Sequence, residues 1–185
     1  MLLGIDRLLR RRAEPASREA ELVTLRARFR AQPSAREAGP DAVASAKRLR
    51  ELREALAAAF GEVDACHTCA RKRPEPNGHW AGGSCCGAST LDLFTAEEVA
   101  SLKLAGIAAT DLEPPRGDHA GCAFRGETGC SLPPAHRPSL CVRYVCIELR
   151  GELLDPANAE KWRRISKLAA ALRDESTRFA ALVSG

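Results

Sequence analysis

Eight cysteines are the residues of this chain best suited to chemistry, and they all fall between residues 66 and 146. In chain order they are Cys66, Cys69, Cys85, Cys86, Cys122, Cys130, Cys141 and Cys146. Thiolates gathered from several short loops are the ligands that a cysteine-bound zinc ion or an iron–sulfur cluster requires. The cysteine window therefore predicts a metal centre, with all eight thiols as candidate ligands.

The first four cysteines form two short motifs. Cys66 and Cys69 make a CxxC turn, which lets two thiolates face one ion, although thiol redox motifs use the same spacing. A thioredoxin-like role needs a βαβ context, and the Pro- and Gly-rich surroundings argue against it. Cys85 and Cys86 are adjacent, so their side chains diverge. Such a pair serves two neighbouring metals, or two irons of one cluster, more easily than a single ion.

The last four cysteines stand in the segment GCAFRGETGCSLPPAHRPSLCVRYVC, with gaps of 7, 10 and 4 residues. Together with the CxxC and CC motifs, this order resembles the YkgJ-type family, named for a zinc- or iron-chelating cysteine domain. The segment LFTAEE (93–98) is similar to the helix start that commonly follows the CC pair there. The resemblance covers residues 66–150 and implies that the eight cysteines bind metal. It implies no particular reaction.

The chain departs from that family between its first two motifs. Here 15 residues separate Cys69 from Cys85, whereas the family keeps the motifs close together. The insertion leaves open whether the two pairs share one site. Imidazole also suits these metals, so a histidine can replace a cysteine ligand. His79, His119 and His136 fall in the loops and are the candidates, whereas His67, inside the CxxC turn, is expected to face away from the metal.

The identity of the metal stays open between two alternatives. Eight thiolates can form two closed zinc sites of four cysteines each, or hold an iron–sulfur cluster while the remaining cysteines are structural or redox-active. Thiolate softness suits both. Arg137 and Arg143 flank ligand positions, so we expect them to bond thiolates or backbone carbonyls and to offset the negative charge of the centre.

The expected compartment follows from the start of the chain. Residues 1–12 have neither a basic n-region nor an apolar stretch long enough for a signal peptide, and no run approaches the length of a membrane span. We therefore predict a cytoplasmic protein, in which thiols stay reduced and cysteine clusters more often bind metal. In a secreted protein, the same eight cysteines would instead allow four disulfides.

The net charge of +4 arises in the N-terminal part of the chain. Residues 1–60 hold 13 Lys and Arg against 8 Asp and Glu, whereas residues 61–185 hold 15 against 16. The basic residues show no repeated interleaving with aromatic ones, so a base-stacking surface is not indicated. The charges are typical of solvated helix faces, and nucleic acid is not an expected partner.

The elements that must position the cysteines are predicted to be mainly helical. We divide the chain into a helical basic region (residues 1–61), a loop-rich cysteine core that binds metal (62–150) and a long C-terminal helix that packs on the core (151–185). Leu22, Leu25 and Phe29 follow helical spacing up to a break at Gln32, and a second break at Gly39 precedes another helix. The stripe of this second helix is Val43, Leu49, Leu52 and Leu56, with Asp41 as its N-cap.

Local signals set the other predicted elements. Thr95 and Glu98 have capping-box spacing, and Gly106 is suited to end the helix that they begin. Asp155 is the predicted N-cap of the C-terminal helix, with Pro156 at its first position. The apolar stripe of that helix, a predicted core face, is Trp162, Ile165, Leu168, Leu172, Phe179 and Leu182. Between these helices, a β-like stretch is predicted over residues 142–149.

Three functions are compatible with these features. The first is a cytoplasmic metal-binding protein in which the cysteines hold zinc or an iron–sulfur centre between helices. The second is a metal- or cluster-dependent enzyme that modifies a substrate or transfers electrons. The third is an interaction module with a purely structural metal, whose N-terminal helices bind a protein partner. The sequence alone does not choose between an enzyme and a binding protein.

Overall fold

Helices dominate the part of the chain that the computed structural model describes, which comprises residues 17–60, 89–116, 122–126, 129–145 and 147–183. Within it, seven α-helices occur: α1 (Arg18–Ala31), α2 (Ala35–Phe60), α3 (Thr90–Leu93), α4 (Ala96–Leu104), α5 (Ser139–Arg143), α6 (Ile147–Leu153) and α7 (Ala159–Val183). Two short strands, β1 (Arg125–Gly126) and β2 (Gly129–Cys130), pair antiparallel. The predicted mainly α class, with N-terminal helices and a long C-terminal helix, is confirmed.

The two N-terminal helices form where the apolar spacing predicted them. Ser17 caps α1 by accepting a hydrogen bond from the backbone N–H of Ala20, and Leu22, Leu25 and Phe29 are buried. Helix α2 is interrupted at Gly39, whose φ of +81° is a left-handed conformation that favours glycine.

The part of α2 that continues after Gly39 begins two residues earlier than predicted. Pro40 follows the non-helical Gly39, and the fixed φ of proline suits the first position of a helix. Asp41 therefore lies in the first turn of the continuing helix and is not its N-cap. Beyond this turn Leu49, Leu52 and Leu56 are buried as predicted.

Helix α7 packs most extensively along α2. Asp155 caps a 3₁₀ turn (Pro156–Asn158) that leads directly into α7, in agreement with the predicted N-cap. Of the predicted stripe, Ile165, Leu172 and Phe179 are buried, whereas Leu182 is 38% exposed. These side chains join α2, α4 and α6 in one core cluster. The proposed domain boundaries stay a prediction.

A second core cluster is built from α1, α3, α4 and the segment around β1. Phe94 and Phe124 lie at its centre, with ring centroids 5.4 Å apart. Helix α4 contributes to both clusters: Ala100 and Leu104 pack in the first, while Val99 and Leu102 pack in the second. This short helix therefore forms the wall between the two cores.

The β-like prediction for residues 142–149 is wrong, because the chain forms α5 and α6 there. Helix α5 begins directly after Pro138, and the backbone N–H of Ser139 at its start donates to Glu98. In α6, Leu149 and Leu153 are both buried, and their spacing of four residues places them on one helical face.

Across the described ranges, no helix combines the length and the apolar character needed to cross a membrane.

Both ends of α4 show the predicted local chemistry, with one difference. Thr95 caps the helix by accepting from the backbone N–H of Glu98 at 3.3 Å, but the Glu98 carboxylate reaches Arg53 and Ser139. At the other end Gly106 has a φ of +90°. The N–H of Ile107 bonds the carbonyl of Leu102 and the N–H of Gly106 bonds that of Lys103, the pattern of a Schellman motif.

We predict that Gly106→Ala lowers the free energy of unfolding by about 1 kcal/mol, because an L side chain is strained at positive φ. A Cβ at this position would meet no atom within 4 Å, so the cost arises from the backbone alone. Gly151→Ala is the matched control, since Gly151 lies inside α6 and is equally unobstructed. That change should raise stability by about 0.5 kcal/mol. Unfolding in urea measures the stability of both variants. Equal effects of the two changes would contradict the left-handed conformation of Gly106.

Candidate metal centre

Three of the eight predicted ligands lie within the described residues. Cys122 is buried and leads into β1, Cys130 ends β2, and Cys141 lies on α5. None of these three forms a disulfide. The remaining candidates fall outside the described residues; they are Cys66, Cys69, Cys85, Cys86 and Cys146.

The three thiols share one environment. Cys122 belongs to the second core cluster, and Cys130 and Cys141 pack against it. Burial raises the pKa of Cys122. Hydrogen bonds from Phe124 and Thr90 lower this pKa, whereas negative charge on Cys130 and Glu21 raises it further. Burial also raises the pKa of Cys141 strongly, with further increases from Cys122, Cys130 and Glu98 and an opposing effect of Arg137. Thiolates here therefore need a compensating cation.

The described thiols do not complete a site by themselves. Across the ranges that the structure describes, no three Cys, His, Asp or Glu side chains form a group that could hold a metal ion. What the fold does bring together are thiols from three separate chain segments, at the edge of one apolar cluster. A soft, sulfur-only donor set of this kind fits zinc or an iron–sulfur cluster.

Cys122 is held by a buried network around Thr90. The Thr90 hydroxyl oxygen accepts from the backbone N–H of Ala123 at 2.8 Å and lies 3.8 Å from Cys122 Sγ. The same hydroxyl bonds the carboxylate of Glu21, a residue that is only 3% exposed. This network joins α1 and α3 to the cysteine segment, so the position of Cys122 is fixed from two sides.

The Cys141 segment is held by a buried ion pair. Arg53 is fully buried, and its Nη2 donates to Glu98 Oε2 at 2.7 Å, to Ser101 Oγ at 2.7 Å and to Ser139 Oγ at 3.1 Å. Glu98 Oε1 accepts from the backbone N–H of Ser139 at 3.0 Å. Because Ser139 begins the short helix that carries Cys141, the ion pair connects α2 and α4 to this ligand segment.

Arg53 has donors left over on its other nitrogens. Its Nε and Nη1 are buried and have no hydrogen-bond partner among the described residues. Burial lowers the pKa of Arg53, whereas the charges of Glu98 and Cys141 oppose the shift. Buried donors normally find acceptors, because leaving one unsatisfied costs about 1–3 kcal/mol. An anionic group within reach of Nε and Nη1 would satisfy these donors.

Two arginines and one histidine are also expected near the ligands, and the structure places each of them in a different environment. Arg137 Nε donates to the carbonyl of Leu132 at 2.7 Å, a bond to a backbone carbonyl as expected, and its charge lowers the pKa of Cys141. Arg143 is exposed and lines a cleft that no described cysteine lines. His136 lies on a 3₁₀ turn that packs on α2, and it joins no metal-binding group with the described cysteines.

Sequence reasoning missed Arg53, Glu21 and Thr90, and it assigned Glu98 only to a cap. A signal for Arg53 was present. It lies four residues after Leu49 and three before Leu56, on the apolar stripe of α2. A charged residue at a core position of a helix indicates a buried ion pair, since Arg is almost never fully buried without a partner.

Comparison of the chain with models of protein families, with curated proteins and with solved structures found no match. The resemblance to the YkgJ-type family and the ligand set that it implies therefore stay predictions, which rest on the cysteine motifs and on the contacts described above.

We predict that Arg53→Met lowers the free energy of unfolding by about 3 kcal/mol. Removing one partner of a buried pair typically costs roughly 3–5 kcal/mol, and Glu98 retains enough exposure to place the loss at the lower end. The matched control is Arg50→Met on the same helix, because Arg50 pairs with Glu54 at 3.7 Å and both side chains are about half exposed. That change should cost under about 0.5 kcal/mol. Similar losses in the two variants would mean that the Arg53 pair is not specially stabilising.

Proposed function

We propose that this is a cytoplasmic metal-binding protein whose clustered cysteines hold zinc or an iron–sulfur centre. One observation carries the proposal: thiols from three separate segments meet one apolar cluster, and a buried guanidinium that bonds the first residue of the Cys141 helix has unsatisfied donors. The motif order of the eight cysteines, with its resemblance to the YkgJ-type family, supports the same function.

The surroundings of the described thiols favour metal ligation over reaction of a free thiol. Reactive cysteines are partly exposed and lie in electropositive pockets. Cys122 is only 7% exposed and lies among Leu and Phe side chains. A buried thiol of this kind is either inert or bound to a metal, and its neighbours Cys130 and Cys141 favour the metal.

Different residues of the protein would have different roles at such a centre. The eight cysteines are the proposed ligands, while Arg53 and Arg137 supply positive charge and Thr90 fixes the Cys122 segment. Zinc would crosslink the loops of a fold that has few aromatic residues, whereas an iron–sulfur cluster would add electron transfer. In both cases the guanidiniums favour the ionised form of the sulfur ligands.

A role of the N-terminal helices in binding a protein partner has less support. The apolar stripes of α1 and α2 are buried inside the protein, against α3, α4 and α7. Val23 is the one large apolar side chain that α1 exposes, at 55%. A lone exposed apolar residue is normal for a surface helix, so we assign no partner to this region.

We predict that the full chain, purified without oxygen, contains zinc or iron at close to whole-number stoichiometry. Elemental analysis identifies the metal, and visible absorption with a brown colour distinguishes iron–sulfur from colourless zinc. Cys122→Ser and Cys141→Ser should each lower the metal content at least twofold, since each removes a ligand. Ser131→Ala is the control, because Ser131 is exposed beside Cys130 and its hydroxyl bonds, among the described residues, the carbonyl of Glu113. Folded protein without metal, whose eight thiols all react with a thiol reagent, would refute the proposal.

A further inference from the structure

A cleft of about 400 Å³ lies between the start of α4, helix α5 and the C-terminal half of α7. Its volume is within the range of roughly 300–1,000 Å³ that small-molecule sites occupy. Leu49, Phe179 and Ser139 line it and are buried, whereas the charged residues that line it are largely exposed. The cleft thus has an apolar floor and a charged rim, and no described cysteine lines it.

Two guanidiniums lie on the rim without strong partners. Arg143 is exposed and has no hydrogen bond or ion pair with any residue that the structure describes. Arg173 pairs only with the adjacent Asp174 among those residues, at 3.7 Å, and both side chains are well exposed, at 64% and 76%. Exposed pairs of this kind contribute little. Both arginines are therefore available for a carboxylate, which guanidinium binds in a bidentate manner.

The rim of the cleft also carries carboxylates. Glu98 is already neutralised by Arg53 at 2.7 Å, so Glu97 is the acidic residue that remains available in the cleft. Hydrogen bonds from its own backbone N–H and from the Thr95 hydroxyl lower the pKa of Glu97. Glu97 is consequently ionised at neutral pH. It repels a simple anion, just as the two arginines repel a simple cation.

The hydroxyl groups of the cleft add acceptors. Ser176 Oγ donates to the carbonyl of Leu172 at 2.8 Å, and Thr177 Oγ1 donates to that of Arg173 at 3.2 Å. Ser176 Oγ also lies 3.4 Å from Ser139 Oγ, a second acceptor for its hydrogen. Because both hydroxyl hydrogens have acceptors within the protein, the oxygen lone pairs are left to accept from a ligand. Such oxygens suit the N–H groups of an ammonium ion.

We propose that this cleft binds a free amino-acid-like zwitterion, with its carboxylate at Arg143 and Arg173 and its ammonium group at Glu97 and the hydroxyl oxygens. The two ends of the ligand match the two signs of charge on the rim, and its carbon chain covers the apolar floor. This site is separate from the proposed metal function, because none of the groups that bind the ligand is a proposed metal ligand.

Titration calorimetry of the full chain tests the proposal with compounds of graded length. The probes are glycine, β-alanine, 4-aminobutyrate and 6-aminohexanoate, with butyrate and butylamine as singly charged controls. At least one zwitterion should bind ten times more tightly than both controls. Equal binding of butyrate or butylamine, or no binding by any of the four zwitterions, would overturn the proposal.

Variants locate the binding within the cleft. Arg173→Met should weaken the best zwitterion at least tenfold, whereas Arg164→Met, an exposed arginine of α7 that does not line the cleft, should leave its affinity unchanged. Glu97→Gln should weaken the zwitterion but strengthen butyrate, because the repulsion of a simple anion is removed. Unchanged affinity in Arg173→Met, with circular dichroism matching the parent, would contradict the site. Metal content, measured on the same samples, should be equal in all variants.

Discussion

The buried ion pair of Arg53 and Glu98 is the constraint on which the arrangement of the other elements depends. A guanidinium without solvent exposure is costly unless charged and polar groups surround it, and here they come from two other helices. Glu98 accepts both from Arg53 and from the backbone N–H that starts α5. One interaction thus connects α2 to the central helix α4 and to a cysteine segment. Glu98 of α4 is 45 residues from Arg53 in sequence, and Ser139 of the cysteine segment is 86 residues away.

A second hydrogen-bond network, around Thr90, holds another cysteine segment on the other side of α4. Thr90 connects Glu21 of α1 to the Cys122 segment, in the core cluster that also contains Phe94 and Phe124. The cysteine segments are therefore attached to helices that the family resemblance does not cover. The metal binding that we propose would therefore be coupled to helix packing, because a site assembled from distant segments exists only in the folded chain.

Several elements could be predicted because their signals are local. The spacing of Leu22, Leu25 and Phe29 identifies the buried face of α1, and the positive φ at Gly106 follows from the helix end that precedes it. The mainly helical class follows from the same kind of pattern. These features depend on residues a few positions apart, so one sequence is sufficient to identify them.

Other features depend on contacts between distant residues and could not be predicted. The segment from Val142 to Leu149 contains β-branched residues, but it begins in α5, whose first N–H donates to Glu98, and it ends in α6, where Leu149 packs into the first core. Apolar spacing shows that position 53 faces the core, yet it does not show which groups receive the arginine. The cysteine motifs predict a ligand set, whereas the grouping of the ligands depends on how the loops between them fold.

The affinity of the full chain for the proposed metal, measured by competition with a chelator, tests most directly whether the buried guanidinium supports a cysteine centre. Wild type, Arg53→Lys and Arg53→Met are compared under conditions in which circular dichroism shows all three to be folded. Residues that support metal ligands typically contribute a factor of roughly 10–100 in affinity. The account predicts that Arg53→Met binds the metal at least tenfold more weakly, with Arg53→Lys between it and the wild type. Equal affinities in all three proteins would contradict it.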